Sequence, residues 1–255
     1  MASHSIYQFY SELSYYEPKI WRRFQVMDDI TMARLGYIIM TMYEMEASHL
    51  FQLKVPYNEN MSKRLLQEDM QFATSEHVIE YIKEKLPSDV IRYYEVQNEY
   101  TVEFENPDAY VAQDEKMKRS IIAEGDVLTF EYDYGDGWEV SLVLEKIFQD
   151  ETLLGKELPR VIEGQGFGIV DDVGGVSGLA DIAKAFANKR SKEYRFYANW
   201  LKGCDKDPEK IAFEKFDIDD MNFRLKKLPR IYKDIYEYDL EMTDRSYNLL
   251  RRKYK

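Results

Sequence analysis

The sequence predicts an α+β protein, because strand patterns and helix patterns occupy separate stretches of the chain. Several stretches alternate apolar and polar residues with a period of two, which is typical of strands with one buried face. Others repeat apolar residues every three or four positions, as amphipathic helices do. The 255 residues are 45% hydrophobic, which is enough to build a full core. Aromatic residues reach 15%, and the 21 tyrosines suit either a core edge or a partner surface.

The clearest pattern is a β-hairpin over residues 128–147. Apolar residues alternate with polar ones on both sides of a short turn that contains Asp136–Gly137. An Asp-Gly pair tolerates the positive φ angles that a tight hairpin turn requires. Three carboxylates, those of Asp133, Asp136 and Glu139, crowd this turn. The sequence therefore assigns the hairpin a structural role and leaves its chemistry open.

Alternation also predicts two strands at the start of the chain, over residues 5–16 and 19–26. A helix follows, with Thr31 as its N-cap and a methionine-rich face that favours burial in the core. A third strand is predicted over residues 48–55. His49 stands where this helix meets the strand, a position that suits a metal ligand, a general base or a hydrogen-bonded core residue.

The middle of the chain predicts a mixture of helices and strands. A short helix begins near Ser62, and a capped helix covers 74–86 and ends at Pro87. Residues 90–105 form either one long strand or a hairpin, and a further helix covers 106–125.

After the hairpin, the C-terminal half is predicted to be mostly helical. A short edge strand at 158–163 leads into a loop with six glycines between Gly164 and Gly178. The glycine spacing matches neither a P-loop nor a dinucleotide-binding fingerprint, which excludes these nucleotide sites. Asp171 and Asp172 lie in this loop before a helix, where they suit metal ligands or helix N-terminal charges. Further helices are predicted at 191–203, 217–228, 230–238 and 243–254, with a solvated basic tail at 251–255.

The formal net charge of −12 argues against binding to nucleic acid, which requires clustered basic residues. It favours a basic protein as partner. The single cysteine, Cys204, excludes an intrachain disulfide. No stretch resembles a signal peptide or a membrane span, so we expect a cytoplasmic protein with no membrane association.

Four blocks stand in a recognisable order: PKIWRRFQV with DITMARL, then SHLFQL, then FEYDYGDGWEVSLVLEKI, then GIVDDVGGVSGL with FDIDDMNFRL. Together they resemble the plasmid pRiA4b ORF-3-like family, whose members are often carried on mobile elements. The resemblance implies the MM-3350-like fold, a mixed and largely antiparallel sheet with helices packed on one side. It also implies a domain over residues 1–228 with an insertion at about 56–125, and a C-terminal helical extension over 229–255.

The resemblance further implies a divalent metal, because the matching positions carry possible ligands. These positions are His49, Asp133, Asp136, Asp171 and Asp172. Many relatives have Cys where this chain has Val173 or Gly168, and often His near Val140, and these departures weaken the case for zinc. The carboxylate-rich set suits a harder cation as well as zinc, which is the metal we favour, in a structural role.

Three functions follow from this kinship. The first is a protein-binding inhibitor of a host defence nuclease, of the anti-CRISPR type, in which the acidic protein occupies the basic surface of a Cas9-like effector. The second is a metal-dependent hydrolase or nuclease using His49, Asp133, Asp136, Glu163 and Asp172. The third is a transposition accessory protein. The inhibitor is preferred over an enzyme, because no Lys or His is placed for acid–base chemistry and no catalytic residue or organic cofactor is predicted.

Overall fold

Eight strands form one open sheet in the computed structural model, which describes residues 5–69, 90–97 and 108–254. The strand order is β5-β4-β3-β6-β7-β1-β2-β8. All neighbouring strands pair antiparallel except β4 and β5, which are parallel. The strands are β1 Ile6–Leu13, β2 Trp21–Met27, β3 Phe51–Val55, β4 Arg92–Glu95, β5 Tyr110–Val111, β6 Val127–Tyr132, β7 Trp138–Phe148 and β8 Arg160–Gln165. The predicted α+β class and mixed sheet are confirmed.

Seven α-helices accompany the sheet within the described residues. None of these helices combines the length and the apolar character that crossing a membrane requires. The helices are α1 Met32–Met42, α2 Tyr57–Asp69, α3 Gly175–Phe186, α4 Lys192–Gly203, α5 Ile218–Leu225, α6 Leu228–Tyr238 and α7 Asp244–Leu250.

Helix α1 packs against the inner face of the sheet and forms the centre of the core. Thr31 caps it as predicted, since its hydroxyl accepts a hydrogen bond from the Arg34 amide at 3.1 Å. Nearly every residue of α1 is buried, including the methionines, so its methionine-rich face belongs to the core. The inner face of the sheet contributes alternate side chains such as Phe9, Phe24 and Phe130. This alternation matches the pattern that predicted the strands.

The predicted helix over 106–125 is wrong for the part that the structure describes. Residues 110–111 pair with β4 as a short strand, and only Met117–Arg119 forms a helical turn, of the 3₁₀ type. The backbone here bonds to other elements, because the Met32 amide donates to Glu115 and the Met117 amide donates to Ile30. These tertiary bonds replace the local bonds of a helix. The helix predicted at 74–86 and the strand residues 98–105 lie outside the described residues.

The insertion predicted at 56–125 contributes α2, β4 and β5, and two of these extend the sheet. The predicted extension after residue 228 supplies α6 and α7, which pack on the helical side with Tyr232 and Leu250 buried. The domain boundaries themselves stay a prediction.

The prediction of a solvated basic tail is wrong for two of its residues, Arg251 and Arg252. The Arg252 guanidinium donates to Glu44 at 2.6 Å and to Asp220 at 2.8 Å. Glu44 is buried and also receives two hydrogen bonds from one nitrogen of the fully buried Arg224. A buried carboxylate attracts these cations because an unpaired buried charge is very costly. Charge pairing therefore holds Arg252 against the buried Glu44 and Asp220.

Stability should fall in acid because of Glu44. Burial raises the pKa of this carboxyl, but the positive charges of Arg224 and Arg252 outweigh burial and hold the pKa below its ordinary value of 4.5. Since the folded pKa is depressed, the stabilisation is complete above pH 4.5 and is lost as the pH falls through the folded pKa. We predict that Glu44→Gln lowers the free energy of unfolding at pH 7 by about 3–5 kcal/mol and weakens its acid dependence.

Urea unfolding at pH 7 and at pH values below 4.5 measures both effects. Glu151→Gln, at an exposed turn position, is the matched control. It should change neither the free energy of unfolding at pH 7 nor its acid dependence. An unchanged acid dependence in Glu44→Gln would contradict the assignment.

Candidate metal centre

Three of the five predicted metal ligands meet at one point. The Nε2 atom of His49 lies 3.5 Å from Oδ2 of Asp133 and 3.3 Å from Oδ1 of Asp172. One ligand atom from each of the three residues lies within 4.8 Å of the others. In the described part of the chain, this is the group whose geometry suits a metal ion. We call His49, Asp133 and Asp172 the His–Asp–Asp site.

His49 is positioned by the loop between α1 and β3. Its ring packs edge-on against Tyr132 of β6, with ring centroids 5.6 Å apart. Its carbonyl oxygen accepts a hydrogen bond from the Tyr236 hydroxyl of α6. The imidazole is therefore fixed from both the sheet and the helical layer, and its Nε2 atom faces the two carboxylates.

Asp133 opens the turn between β6 and β7. Its φ angle is +54°, in the left-handed region that Asp tolerates better than most residues. One carboxylate oxygen, Oδ1, accepts from the Gly135 amide at 3.0 Å and from the Asp136 amide at 3.3 Å. The other oxygen, Oδ2, faces His49. The same carboxylate thus shapes the turn and contributes to the site.

Asp172 lies in the glycine-rich loop, which packs against the hairpin turn between β6 and β7. Asp136 is a docking residue, because its Oδ2 atom accepts from the Gly174 amide at 3.1 Å. A Cβ atom added to Gly175 would lie 2.5 Å from the Asp136 carbonyl oxygen, so only glycine permits this approach. Asp172 itself has a φ of +64° and a side chain that is 68% exposed.

Asp171 lies behind the site and holds its segments together. Its Oδ2 atom accepts from the Tyr132 hydroxyl at 3.0 Å, the Glu46 amide at 3.0 Å and the Ser48 hydroxyl at 3.3 Å. Burial raises the pKa of the Asp171 carboxyl to about 6, and the nearby negative charge of Glu46 adds to the shift. Asp171 is thus a buried anchor one residue before the exposed Asp172.

The donor atoms fit a metal ion. Ligand atoms about 2.0–2.2 Å from a tetrahedral zinc lie roughly 3.4 Å from one another, which agrees with both distances from His49. His49 Nε2 is also buried and makes no hydrogen bond within the described residues. A buried ring nitrogen that makes no hydrogen bond is costly unless a cation satisfies it. One imidazole and two carboxylates suit zinc or a harder divalent cation.

Several residues that build the site were not singled out by the sequence. Tyr132, Ser48 and Tyr236 act through hydrogen bonds across the fold, and no local pattern marks them. Glu163, proposed for the nuclease, is on β8 and pairs with Arg23 of β2. It is not one of the three residues that converge on His49.

Residues 5–224 match the family described as plasmid pRiA4b ORF-3-like protein. The chain belongs to this family. The matched span contains every residue of the His–Asp–Asp site and ends before α6. The pRiA4b ORF-3-like assignment that the sequence blocks predicted is therefore confirmed.

Two known proteins are similar to this pRiA4b ORF-3-like chain, one in sequence and one in fold. The uncharacterized protein y4hQ of Sinorhizobium fredii (strain NBRC 101917 / NGR234) is 30% identical over 92 residues, which is 35% of this chain and 46% of that protein. The crystal structure of MM3350 from Methanosarcina mazei Go1, a protein of unknown function, superposes with a TM-score of 0.62 at 19% identity. It covers 86% of this chain and 98% of MM3350. This likeness establishes the fold.

Because the glycine-rich loop packs against the hairpin turn, alanine substitutions at two adjacent glycines should lower the free energy of unfolding by different amounts. Both Gly174 and Gly175 have positive φ angles, but a Cβ at Gly174 would meet no atom within 4 Å. Gly174→Ala should cost about 1 kcal/mol from backbone strain, whereas Gly175→Ala adds a backbone clash and should cost about 2–4 kcal/mol in total. Urea unfolding of both variants measures the difference, and equal costs would contradict the docked geometry.

Proposed function

We propose that the protein binds one divalent cation at the His–Asp–Asp site, with zinc favoured, and that the cation ties the hairpin turn to the glycine-rich loop. The observation that carries the proposal is the buried Nε2 of His49, which makes no hydrogen bond within the described residues and lies 3.3–3.5 Å from two carboxylate oxygens. Each ligand comes from a different loop, so one ion would cross-link three segments. Binding energy of this kind adds directly to folding stability.

The site offers three protein ligands and one exposed side, where Asp172 meets solvent. Three ligands with an open position also describe catalytic zinc sites. Metal-dependent hydrolysis is accordingly the alternative role for the same residues. It predicts cleavage of an activated phosphodiester by the zinc-loaded protein, whereas a structural role predicts stabilisation without turnover.

Removing a ligand should abolish cation binding. We expect His49→Ala and Asp172→Asn each to weaken zinc affinity by about 100-fold or more, because a three-ligand site loses one donor. Asp172 is exposed, so Asp172→Asn should leave the melting temperature of the metal-free protein unchanged. Isothermal titration with zinc measures the affinity, and thermal melts with and without zinc measure the coupling to folding.

Asp181→Asn, an exposed acid on α3, is the control and should bind zinc as the unmodified protein does. Zinc affinity that is equal in Asp172→Asn and in the control would refute the site.

A second proposed function is inhibition of a basic host nuclease, of the anti-CRISPR type and with a Cas9-like effector as target. It is favoured by the acidic–apolar segment, residues 238–244, which runs from the last residue of α6 to the first residue of α7. This segment exposes Tyr238 by 57% and Leu240 by 54%, and it carries three acids and no basic residue. Exposed aromatic and apolar anchors among charges are typical of protein-binding surfaces.

The tyrosine content gives this function less support than the sequence suggested. Several tyrosines are core residues whose rings pack inside the fold. The buried ones are Tyr7, Tyr16, Tyr37, Tyr43, Tyr94, Tyr132 and Tyr232. The acidic–apolar segment therefore carries the argument for a partner surface.

We predict that the double variant Tyr238→Ser/Leu240→Ser raises the concentration needed for half-inhibition of a Cas9-like nuclease at least about tenfold, as loss of two anchors would. The concentration for half-inhibition is measured from guide-directed DNA cleavage by the nuclease after preincubation with the protein. The control is Phe196→Ser, which removes a 66% exposed aromatic from the basic helix α4 and should leave inhibition intact. Cleavage that proceeds equally fast with and without the unmodified protein would end the proposal.

A further inference from the structure

The carboxylate of Glu46 joins the C-terminal end of the chain to the segments that carry the proposed cation site. Glu46 lies three residues before His49, and Lys206 and Arg251 both pair with its Oε1 atom. We call Glu46, Lys206 and Arg251 the Glu46 cluster. We propose that this cluster positions the His–Asp–Asp site, so that cation affinity depends on Arg251. The inference rests on the proposed cation site and names the part of the chain that regulates it.

Lys206 connects Glu46 to the glycine-rich loop. Its Nζ atom lies 3.0 Å from Oε1 of Glu46 and donates to the carbonyl oxygen of Asp171 at 3.5 Å. The Lys206 side chain is only 9% exposed, so water screens these contacts little. The next residue in the loop is Asp172, a ligand of the proposed cation. An ammonium group of the protein therefore already links two of the segments that the cation would bridge.

The backbone of Glu46 makes the same connection. Its amide donates to Oδ2 of Asp171 at 3.0 Å, the oxygen that also accepts from the Tyr132 hydroxyl. Ala47 follows with a φ of +58°, a left-handed conformation that costs a non-glycine residue about 1–2 kcal/mol. Such a conformation persists only where the surrounding contacts impose it. Pairing of the Glu46 side chain restrains the chain on one side of Ala47 and thereby its path to His49.

Arg251 contributes the second cation from the end of α7. Its Nη1 atom donates to Oε1 of Glu46, and its guanidinium carbon lies 5.2 Å from the centroid of the Tyr247 ring. The Arg251 side chain is 12% exposed, and the neighbouring Leu249 and Leu250 are buried. Helix α7 therefore holds this guanidinium group against Glu46.

Arg251 also lies outside the part of the chain that matches the pRiA4b ORF-3-like family. The match ends at residue 224, so it contains Glu46 and Lys206 but not Arg251. The C-terminal segment thus adds one cation to a pair that the family span already contains. This addition connects a segment beyond the family span to the loop that carries His49.

Positioning and simple electrostatics predict opposite effects when Arg251 is neutralised. Loss of a positive charge near the site lowers the repulsion of a bound cation, so the Coulomb effect alone would raise zinc affinity. Loss of the ion pair instead loosens the loop that carries His49, and metal sites lose affinity when the residues that support their ligands are removed. The direction of the change therefore distinguishes the two effects.

The test measures the zinc affinity of the full chain by isothermal titration, well below the melting temperature of each variant. We expect Arg251→Gln to weaken zinc binding about tenfold while the stoichiometry stays at one. Arg251→Lys retains a cation for Glu46 and should keep the affinity within about threefold of that of the unmodified protein. The matched control is Lys253→Gln, which removes a positive charge from the same chain end but pairs with Asp205, and it should bind zinc normally.

Equal zinc affinity in Arg251→Gln and Lys253→Gln, or tighter binding in Arg251→Gln, would overturn the proposal. If Arg251→Gln does not fold, Tyr247→Leu serves as a second variant, because it removes the ring beside Arg251 and keeps an apolar side chain. It should weaken zinc binding about threefold, and unchanged affinity would again overturn the proposal. An unmodified protein that binds no zinc would refute the cation site itself, whereas normal binding by both Arg251→Gln and the unmodified protein would refute the Glu46 cluster alone.

Discussion

The buried carboxylate of Asp171 is the interaction on which the candidate site depends. It joins the glycine-rich loop to Tyr132 of the hairpin and to the loop that carries His49, through three hydrogen bonds of 3.0–3.3 Å. Burying an acid in this way is costly, which is why the pKa of Asp171 lies near 6. The three donors offset that cost and fix the spacing between the hairpin and the loop. The next residue, Asp172, consequently reaches His49.

Two residues of the His–Asp–Asp site have strained backbone conformations. Asp133 and Asp172 both adopt left-handed conformations, and Gly175 permits a backbone approach that no other residue would allow. Strained residues of this kind often accompany function, because the strain aims side chains in directions that regular elements cannot. Here the strain aims two carboxylates at one imidazole nitrogen. A cation at that point would attract both carboxylates and outweigh their mutual repulsion. This attraction is the physical basis of the proposed cross-link between the hairpin turn and the glycine-rich loop.

Local pattern was sufficient to predict most of the sheet, α1 and its Thr31 cap, because burial there follows the strand and helix periods. It failed where backbone groups bond to distant elements, as in the segment around Met117. Local pattern also does not reveal that Arg22, a basic residue in β2, is fully buried with its guanidinium bonded to five carbonyl oxygens. The family resemblance identified the five candidate ligands. Only the three-dimensional structure separated the converging His49, Asp133 and Asp172 from Asp136, which docks the loop, and Asp171, which anchors it.

The most direct test of the cation site is NMR observation of the histidine ring nitrogens during zinc titration. The chain has three histidines, so the imidazole signal of His49 can be assigned by a single substitution. Binding at the His–Asp–Asp site predicts that one equivalent of zinc shifts the Nε2 resonance of His49 to a metal-bound value and leaves the other two rings unchanged. An unshifted His49, or a shift confined to His4 or His77, would contradict the account.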